Sequence, residues 1–342
     1  MPASRKCILM LQKSTKAIFS LFFVLTFISS CSAKAPVKRT DYLLGTIVSI
    51  TVYDCDNGDR IIGECFEMVR ELENKVSPAD KSSVVSHLNN SALNCWINID
   101  SEVYALIKDS MEYCIESEGA FDIGLGRIID LWGIGTDRQA VPNLNELEPY
   151  MGFKCFEHIF LNDEQCSVLF DDGRVSINLG ACAKGYTVNK TAEFLKEKGV
   201  KSALIDFGGS IYAIGDKNGK GFDIGIANPG NDNIGGVINN LSDISVVTSG
   251  DYQRYFEQNG IRYHHIIDSN TAFPAASGVR SVTIVCPDSF KGDCLSTAAF
   301  VLGVEKGKEL LDKMNCGYVF FTDSGVIVSD SLRDSFNLIY DD

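Results

Sequence analysis

Between Ser176 and Gly215 the chain reads SINLGACAKGYTVNKTAEFLKEKGVKSALIDFGGSIYAIG, and this stretch limits the possible folds more than any other. Val175, Ile177 and Leu179 alternate, which predicts a short strand. A Gly-Ala-Cys-Ala-Lys-Gly turn follows. Val188, Ala192 and Leu195, at i, i+4 and i+7, predict a helix that stops at Gly199, where a C-cap belongs. A second strand, Ala203 to Phe207, breaks at Gly208-Gly209. Such a strand, small-residue turn, helix and strand aims backbone N–H groups and a helix N-terminus at an anion. Lys184 adds a fixed positive charge inside the turn. An ordinary strand–helix–strand unit with a tight turn satisfies the same pattern.

The first 30 residues belong to a different argument. Arg5, Lys6, Lys13 and Lys16 stand without an acid before the apolar run Ala17 to Ile28, and Ile28-Ser29-Ser30 leads into Cys31. That is a secretory signal ending like a bacterial lipobox, with Cys31 as the lipidated first residue of the mature chain; a plain signal peptide or an uncleaved anchor helix is the alternative. The apolar run is short for a membrane span. The expected protein is therefore exported and held by acyl chains at the periplasmic or outer face of the cell membrane. Residues 32–39 read as a tether and 40–342 as one catalytic unit. Losing four cations takes the formal charge from −14 to −18, which argues against nucleic acid as a partner. The cysteines show no CxxC pair, and their irregular spacing predicts buried small hydrophobes rather than a bridge framework. Four histidines apart from any cysteine cluster speak against zinc.

Beyond the tether, strands and helices intermix. Leu43–Tyr53 reads as a strand, Ile61–Lys75 and Val103–Ser117 as helices, and Leu125–Gly135 as a short helix after an irregular turn. Asp223–Ala227 and Val237–Leu241 are hairpin arms. Arg262–Asp268 and Arg280–Cys286 are strands, Asp293–Leu302 and Lys306–Met314 are helices, and a final hairpin covers Tyr318–Ser329. With no strict βαβ period, the expected architecture is α+β, mixed sheets flanked by helices.

Chemistry concentrates at a few positions. Asp293 and Thr297, four residues apart, share one face near a helix start and offer hard oxygens to Mg²⁺ or Ca²⁺, with a backbone carbonyl of the glycine-rich turn to complete the set. A first-turn acid favoured by the helix dipole is the plainer account of Asp293. His264 and His265 point to opposite faces if both lie in a strand, so one of them can face a cleft as a base. Asp122 fits either a ligand contact or a turn carboxylate, and Thr248-Ser249-Gly250-Asp251 either a donor set or a turn. A phosphate cradle, a hard-metal corner and a histidine together suit phosphoryl or nucleotidyl transfer.

Four segments in this order, Leu44-Gly45-Thr46, Gly119-Ala120-Phe121-Asp122, GACAKGY from Gly180 to Tyr186, and Val247–Gly303 with TSGDYQRYF, YHHIID and DCLSTAAFVLG, resemble the ApbE family of bacterial FAD:protein FMN transferases. The resemblance spans nearly the whole mature chain and implies a T-fold-like unit. It implies Mg²⁺-dependent transfer of FMN from FAD to a threonine of a membrane redox subunit, with release of AMP. By the same likeness, Asp293, Thr297 and the Ala181 carbonyl hold Mg²⁺. FAD meets Leu44, Ala120, Phe121, Asp122, Asn178, Lys184 and the backbone near Ile266, and His265 is the base for the acceptor hydroxyl. Four positions depart from the family pattern: Leu44 for methionine, Ala79 for an aromatic residue, Asn178 for aspartate and Ala272 for glycine. Two other activities suit the same residues: hydrolysis of FAD to FMN and AMP, and flavin binding without chemistry.

Overall fold

The β-branched run after residue 43 forms one arm of a hairpin rather than a lone strand. In the computed structural model, which describes residues 35–231 and 233–339, β1 (Val37–Leu43) and β2 (Thr46–Val52) pair antiparallel from Val37↔Val52 to Leu43↔Thr46. The turn between them is Leu44-Gly45, with φ of 54° and 66°. Two consecutive positive-φ residues are the geometry of a tight primed hairpin turn. A side chain makes that conformation costly, so Leu44 is held under strain. β1 takes up Val37–Arg39, which the sequence had suggested as tether, because these residues find β2 as a ladder partner. The predicted signal sequence and Cys31 lie outside the described residues. No helix among the described residues is long and apolar enough to cross a membrane.

The chain then continues through α1 (Gly58–Val76), α2 (Val84–Ser91), β3 (Ile97–Asn98), α3 (Ser101–Glu116), α4 (Gly126–Trp132) and the short α5 (Leu144–Leu147). β4 (Ile159–Asn162) and β5 (Ser167–Phe170) join β3 in a small sheet of order β3-β5-β4. Next come α6 (Ala183–Glu197), β6 (Ala203–Phe207), β7 (Ser210–Ile214), β8 (Phe222–Ala227), β9 (Ile234–Leu241) and β10 (Ile244–Gly250). Two small hairpins follow, β11 (Tyr255–Gln258) with β12 (Ile261–His264), and β13 (Ile267–Asp268) with β14 (Phe273–Pro274). β15 (Val279–Cys286), α7 (Ser289–Lys313), β16 (Gly317–Thr322), β17 (Gly325–Val328) and β18 (Phe336–Leu338) close the chain. The two helices expected over 293–314 are the two halves of α7, broken at Gly303, whose φ of 76° no helix accommodates.

The main sheet is antiparallel throughout, in the order β1-β2-β6-β7-β10-β15-β16-β17. Its period-2 alternation sends Val48, Ile50 and Val52 to one face, where they meet Ile62 and Phe66 of α1 and Val188 and Leu195 of α6. Fully burying each such side chain stabilises the fold by roughly 1.5–3 kcal/mol. Ala213, Val246, Val285 and Val319 point to the opposite face, against Phe222, Ile224 and Ile238 of the β18-β9-β8 sheet. A central sheet is thus clad by helices on one side and by a second sheet on the other. The architecture is α+β, as expected, and its sheets pair antiparallel. One local expectation fails: residues 175–179 are extended but form no ladder. Their backbone is bound instead by Gly124, by Ile123 and by the Asn89 side chain.

Candidate active site

The site is built where α6 and α7 begin. Gly185, in the first turn of α6, lies so close to α7 that a Cβ there would collide with the Ser289 carbonyl and come within 2.7 Å of Asp293 Cβ. The close approach lets the Gly185 N–H donate to Asp293 Oδ2 at 2.8 Å, while Lys184 Nζ stands 3.5 Å from Oδ1. Burial pushes the Asp293 carboxyl above its ordinary range, and the Lys184 charge and the Gly185 N–H work against that shift. The Gly185 N–H, four residues after Ala181, is thus taken by a carboxylate rather than by the Ala181 carbonyl. Ala181, Asp293 and Thr297, the residues expected to form a hard-metal corner, line one cavity of about 170 Å³. The anion cradle is less open than expected. The Cys182 and Ala183 N–H groups both donate back to the Leu179 carbonyl, which leaves Lys184 as the main positive element of the turn.

The two neighbouring histidines divide their roles. β12 stops at His264, so the single strand expected over 262–268 is interrupted at the histidines themselves. His264 is buried, with Nε2 3.0 Å from the Ala275 carbonyl and Nδ1 accepting from the Ile266 N–H. That ring is structural, and burial lowers its pKa. His265 turns to the cavities. Its Nδ1 and its backbone N–H both donate to the Arg254 carbonyl, at 3.2 and 3.1 Å. With the proton fixed on Nδ1, the Nε2 lone pair is the one available for chemistry. Enclosure by protein lowers the ring's pKa to about 4, ahead of the opposing effect of the Arg254 carbonyl, so the imidazole is neutral at physiological pH.

Asp122 belongs to the same cavity but is bound differently. Its Oδ1 accepts from the Gly124 N–H at 2.7 Å and its Oδ2 from the Phe156 N–H at 3.1 Å. Burial raises its pKa to about 6 against those bonds. Asn178 keeps a hydrogen-bonding oxygen, which accepts from Gly180 N–H at 2.9 Å. Ala120, Phe121, Asp122, Asn178 and Ile266 all line the 170 Å³ cavity. The Ile266 backbone is already spent within the protein, since its carbonyl accepts from Ala275. Ala79 sits in an exposed turn after α1 and lines neither cavity of the site.

A second, wider cavity of about 550 Å³ opens alongside, walled by Leu44-Gly45-Thr46, Gly208-Gly209 and Gly225–Ala227. Six residues line both: Gly180, Lys184, Thr248, Gln253, Arg254 and His265. Arg254 was not singled out from sequence. Its guanidinium donates to the Gly45 carbonyl at 2.9 Å and its own carbonyl fixes His265, so it ties the β1–β2 turn to that imidazole. Its position in the polar turn of TSGDYQRYF, just before YHHIID, was the available signal. Asp251 of that segment is structural, paired with Arg280 at 2.5 Å.

Every segment that carries the sequence resemblance therefore meets at these two cavities. The family comparison agrees: the ApbE family pattern matches residues 44–320. The chain belongs to the ApbE family. An FAD:protein FMN transferase of Treponema pallidum (strain Nichols) is 34% identical over 312 residues, covering 85% of this chain and 86% of that one. A protein of the same name from Klebsiella pneumoniae (strain 342) is 29% identical, covering 84% and 90%. Among solved structures, the ApbE protein of Thermotoga maritima superposes with a TM-score of 0.82 at 32% identity, over 88% of this chain and 99% of that one. A variant of the flavin transferase ApbE from Vibrio cholerae gives 0.78 at 25% identity, over 88% and 100%. In this ApbE-family chain, the Leu44 and Asn178 departures fall on the cavity walls and leave the Asp293–Thr297 pair untouched.

Proposed function

We infer that this chain is an FAD:protein FMN transferase, an enzyme that moves FMN from FAD onto a threonine hydroxyl of an acceptor protein and releases AMP. The observation that carries this reading is the 170 Å³ cavity and its junction with the wider one: Lys184 and His265 line both, and Asp293 and Thr297 line the smaller. FAD spans the junction with its pyrophosphate beside Lys184. The enclosed 170 Å³ cavity suits adenine and the wider one the isoalloxazine and the arriving acceptor. Asp293, Thr297 and the Ala181 carbonyl suit Mg²⁺, which commonly takes one or two carboxylates and completes its shell with substrate phosphate and water. When bound, that ion supplies charge neutralisation at the pyrophosphate and at the leaving AMP.

The chain's own residues do the rest. His265 Nε2 takes the proton of the acceptor hydroxyl as its oxygen attacks the FMN phosphorus, and Arg254 holds the imidazole in the required tautomer. The bond from that phosphorus to the bridging oxygen breaks, and AMP departs with the bridging oxygen. Lys184 stabilises the charge that builds up between the two phosphates. The acceptor is a threonine-bearing subunit of a membrane redox complex; the signal directs export and a lipid on Cys31 holds the mature enzyme at that membrane. Residues 1–30 are the signal in this reading, and 40–342 the transferase unit. The breadth of the larger cavity favours a second activity, hydrolysis of FAD when water stands in for the acceptor.

The test incubates the protein with FAD, Mg²⁺ and a threonine-bearing redox subunit, following the acceptor by intact mass and AMP and FMN by chromatography. One FMN gained per acceptor, with AMP released and silence in EDTA, is the expected result. AMP and free FMN with an unmodified acceptor would leave only the hydrolase. Intact FAD throughout would overturn both.

A further inference from the structure

All ten cysteines among the described residues are unbridged, yet two are set opposite each other. β15 and β16 pair antiparallel up to Val285↔Gly317. Cys286 is the last residue of β15 and Cys316 the residue just before β16, so continuing that register by one sets them across from each other. Directly opposed residues of an antiparallel pair have Cα atoms about 4.5–5.5 Å apart, inside the range of about 4.4–6.8 Å that a disulfide spans. Opposed residues also project to the same side of the sheet, and the two thiols are near enough to perturb each other. Each thiol gives its one hydrogen to a nearby backbone carbonyl. Cys286 Sγ donates to the Asp288 carbonyl at 3.0 Å and Cys316 Sγ to the Met314 carbonyl at 3.6 Å. Both line a third cavity, about 780 Å³, at the far end of β15 from the flavin-transfer site, bordered by Lys308, Asp312 and Tyr318. Both residues are buried, 2% and 5% exposed, so a small thiol reagent reaches them only through that cavity.

We propose that Cys286 and Cys316 are a redox-active dithiol that exchanges with small-molecule disulfides to form a cross-strand disulfide. Cys316 is the attacking thiol. Its contact with Cys286 and the nearby Lys291 charge hold it below the ordinary thiol range, whereas Cys286 is pushed up by the same contact and by burial. The Cys316 thiolate attacks one sulfur of the small disulfide and displaces its other half as thiolate. Cys286 then gives up its proton, attacks the Cys316 sulfur and displaces the second half. Two protein S–H bonds are lost, one S–S bond forms, and the reagent is reduced to two thiols. The bridge closes a loop that contains all of α7, hence Asp293 and Thr297. Cys286 Sγ already packs on α7, 3.4 Å from where a Cβ on Gly292 would stand. An exported protein meets the oxidising conditions under which such a bond persists.

The experiment equilibrates the whole chain with oxidised glutathione, blocks free thiols with N-ethylmaleimide in denaturant, digests and maps by mass spectrometry. The expected product is one peptide pair joined through 286 and 316, with both alkylated after dithiothreitol. The oxidised protein should melt about 5–10 °C above the reduced one, from the loop entropy removed from the unfolded chain. Cys316→Ser should abolish both the linked peptide and the shift. Cys286 and Cys316 both alkylated after oxidation, or linked to other cysteines, would overturn the proposal. This measurement reads no flavin chemistry, so it stands or falls apart from the transferase assignment.

Discussion

Asp122 and Asp293 are both buried aspartates in the wall of one cavity, and they are opposites. Asp122 spends both oxygens on backbone N–H groups of Gly124 and Phe156, pinning the irregular turn before α4. Asp293 gives one oxygen to the Gly185 N–H and keeps the other only loosely engaged, 3.5 Å from a lysine. A carboxylate whose acceptor sites are filled by fixed donors holds a loop. One that is desolvated and only half-filled has an oxygen free to take a cation. The plainer account of Asp122, a turn carboxylate, thus describes its bonding, and any part in the proposed FAD site comes from the wall it shapes. For Asp293 the helix-dipole account is too small, since its bonds run to α6 rather than to its own helix.

Removing the half-filled carboxylate should do the most damage. Asp293→Ala is expected to lower kcat for FMN transfer by about 10³-fold or more, the loss of several kcal/mol of charge stabilisation. The melting temperature should change much less. A near-normal kcat at saturating Mg²⁺ would put the two aspartates in the same structural class. His265→Ala should come next, with kcat down about 10²–10³-fold and FAD binding largely retained. The His265 pKa near 4 also sets a pH profile. The base is active when neutral, so its acid limb should lie near pH 4 and the rate should not fall through pH 6.5. The folded pKa is depressed, so this group's contribution to stability is complete above about 6.5 and is lost as pH falls towards 4. A kcat limb centred at 6.5 would show that the ring is solvated in the working enzyme.

Much of this contrast was legible in the sequence, and the rest depended on partners far along the chain. α6 and its Gly199 cap, which takes φ 83°, followed from spacing alone. So did Asp293 and Thr297 on one helix face. The extended segment before the turn looked like a strand because Val175, Ile177 and Leu179 alternate and are buried. Its hydrogen bonds instead go to the Asp122 turn and to the side-chain amide of Asn89, 88 residues away. No local pattern announces a partner of that kind. The β1 strand was hidden for a related reason: VKRTDYL is polar and exposed on an edge, so it lacks the alternation by which buried strands are read. Arg254 acts through its own carbonyl as much as through its guanidinium, and a carbonyl leaves no mark in a sequence.

On the Asp122 side, effects should appear in stability before they appear in chemistry. Asp122→Asn replaces one acceptor by an NH₂ that faces a backbone N–H, at a cost of about 1–3 kcal/mol. Because the folded pKa of about 6 lies above the ordinary 3.8, the wild-type group favours the folded state fully below 3.8, and this is lost as pH rises through 6. Urea unfolding at pH 4 and pH 7 should show that slope in the wild type and a flatter one in the variant. Transfer activity that fell as far as in Asp293→Ala, with stability unchanged, would erase the distinction between the two residues.

The smallest effect tests how the same side of the cavity tolerates strain. Ala272, where the family pattern has glycine, takes φ 59°, and its carbonyl accepts from Trp132 Nε1 at 2.9 Å, which anchors α4 behind the Asp122 turn. An L-residue in that conformation costs about 1–2 kcal/mol. Ala272→Gly would relieve the strain, but it would also remove a fully buried methyl worth about 0.8 kcal/mol and free the unfolded chain by about 0.5–1 kcal/mol. These terms nearly cancel, so the variant should lie within about 1 kcal/mol of the wild type by urea unfolding, with its FMN transfer rate unchanged. A gain well beyond that would mean the strained turn is a real burden on this chain. A clear loss would mean the methyl, packed beneath the Trp132 anchor, matters more to the Asp122 corner than the backbone geometry it strains.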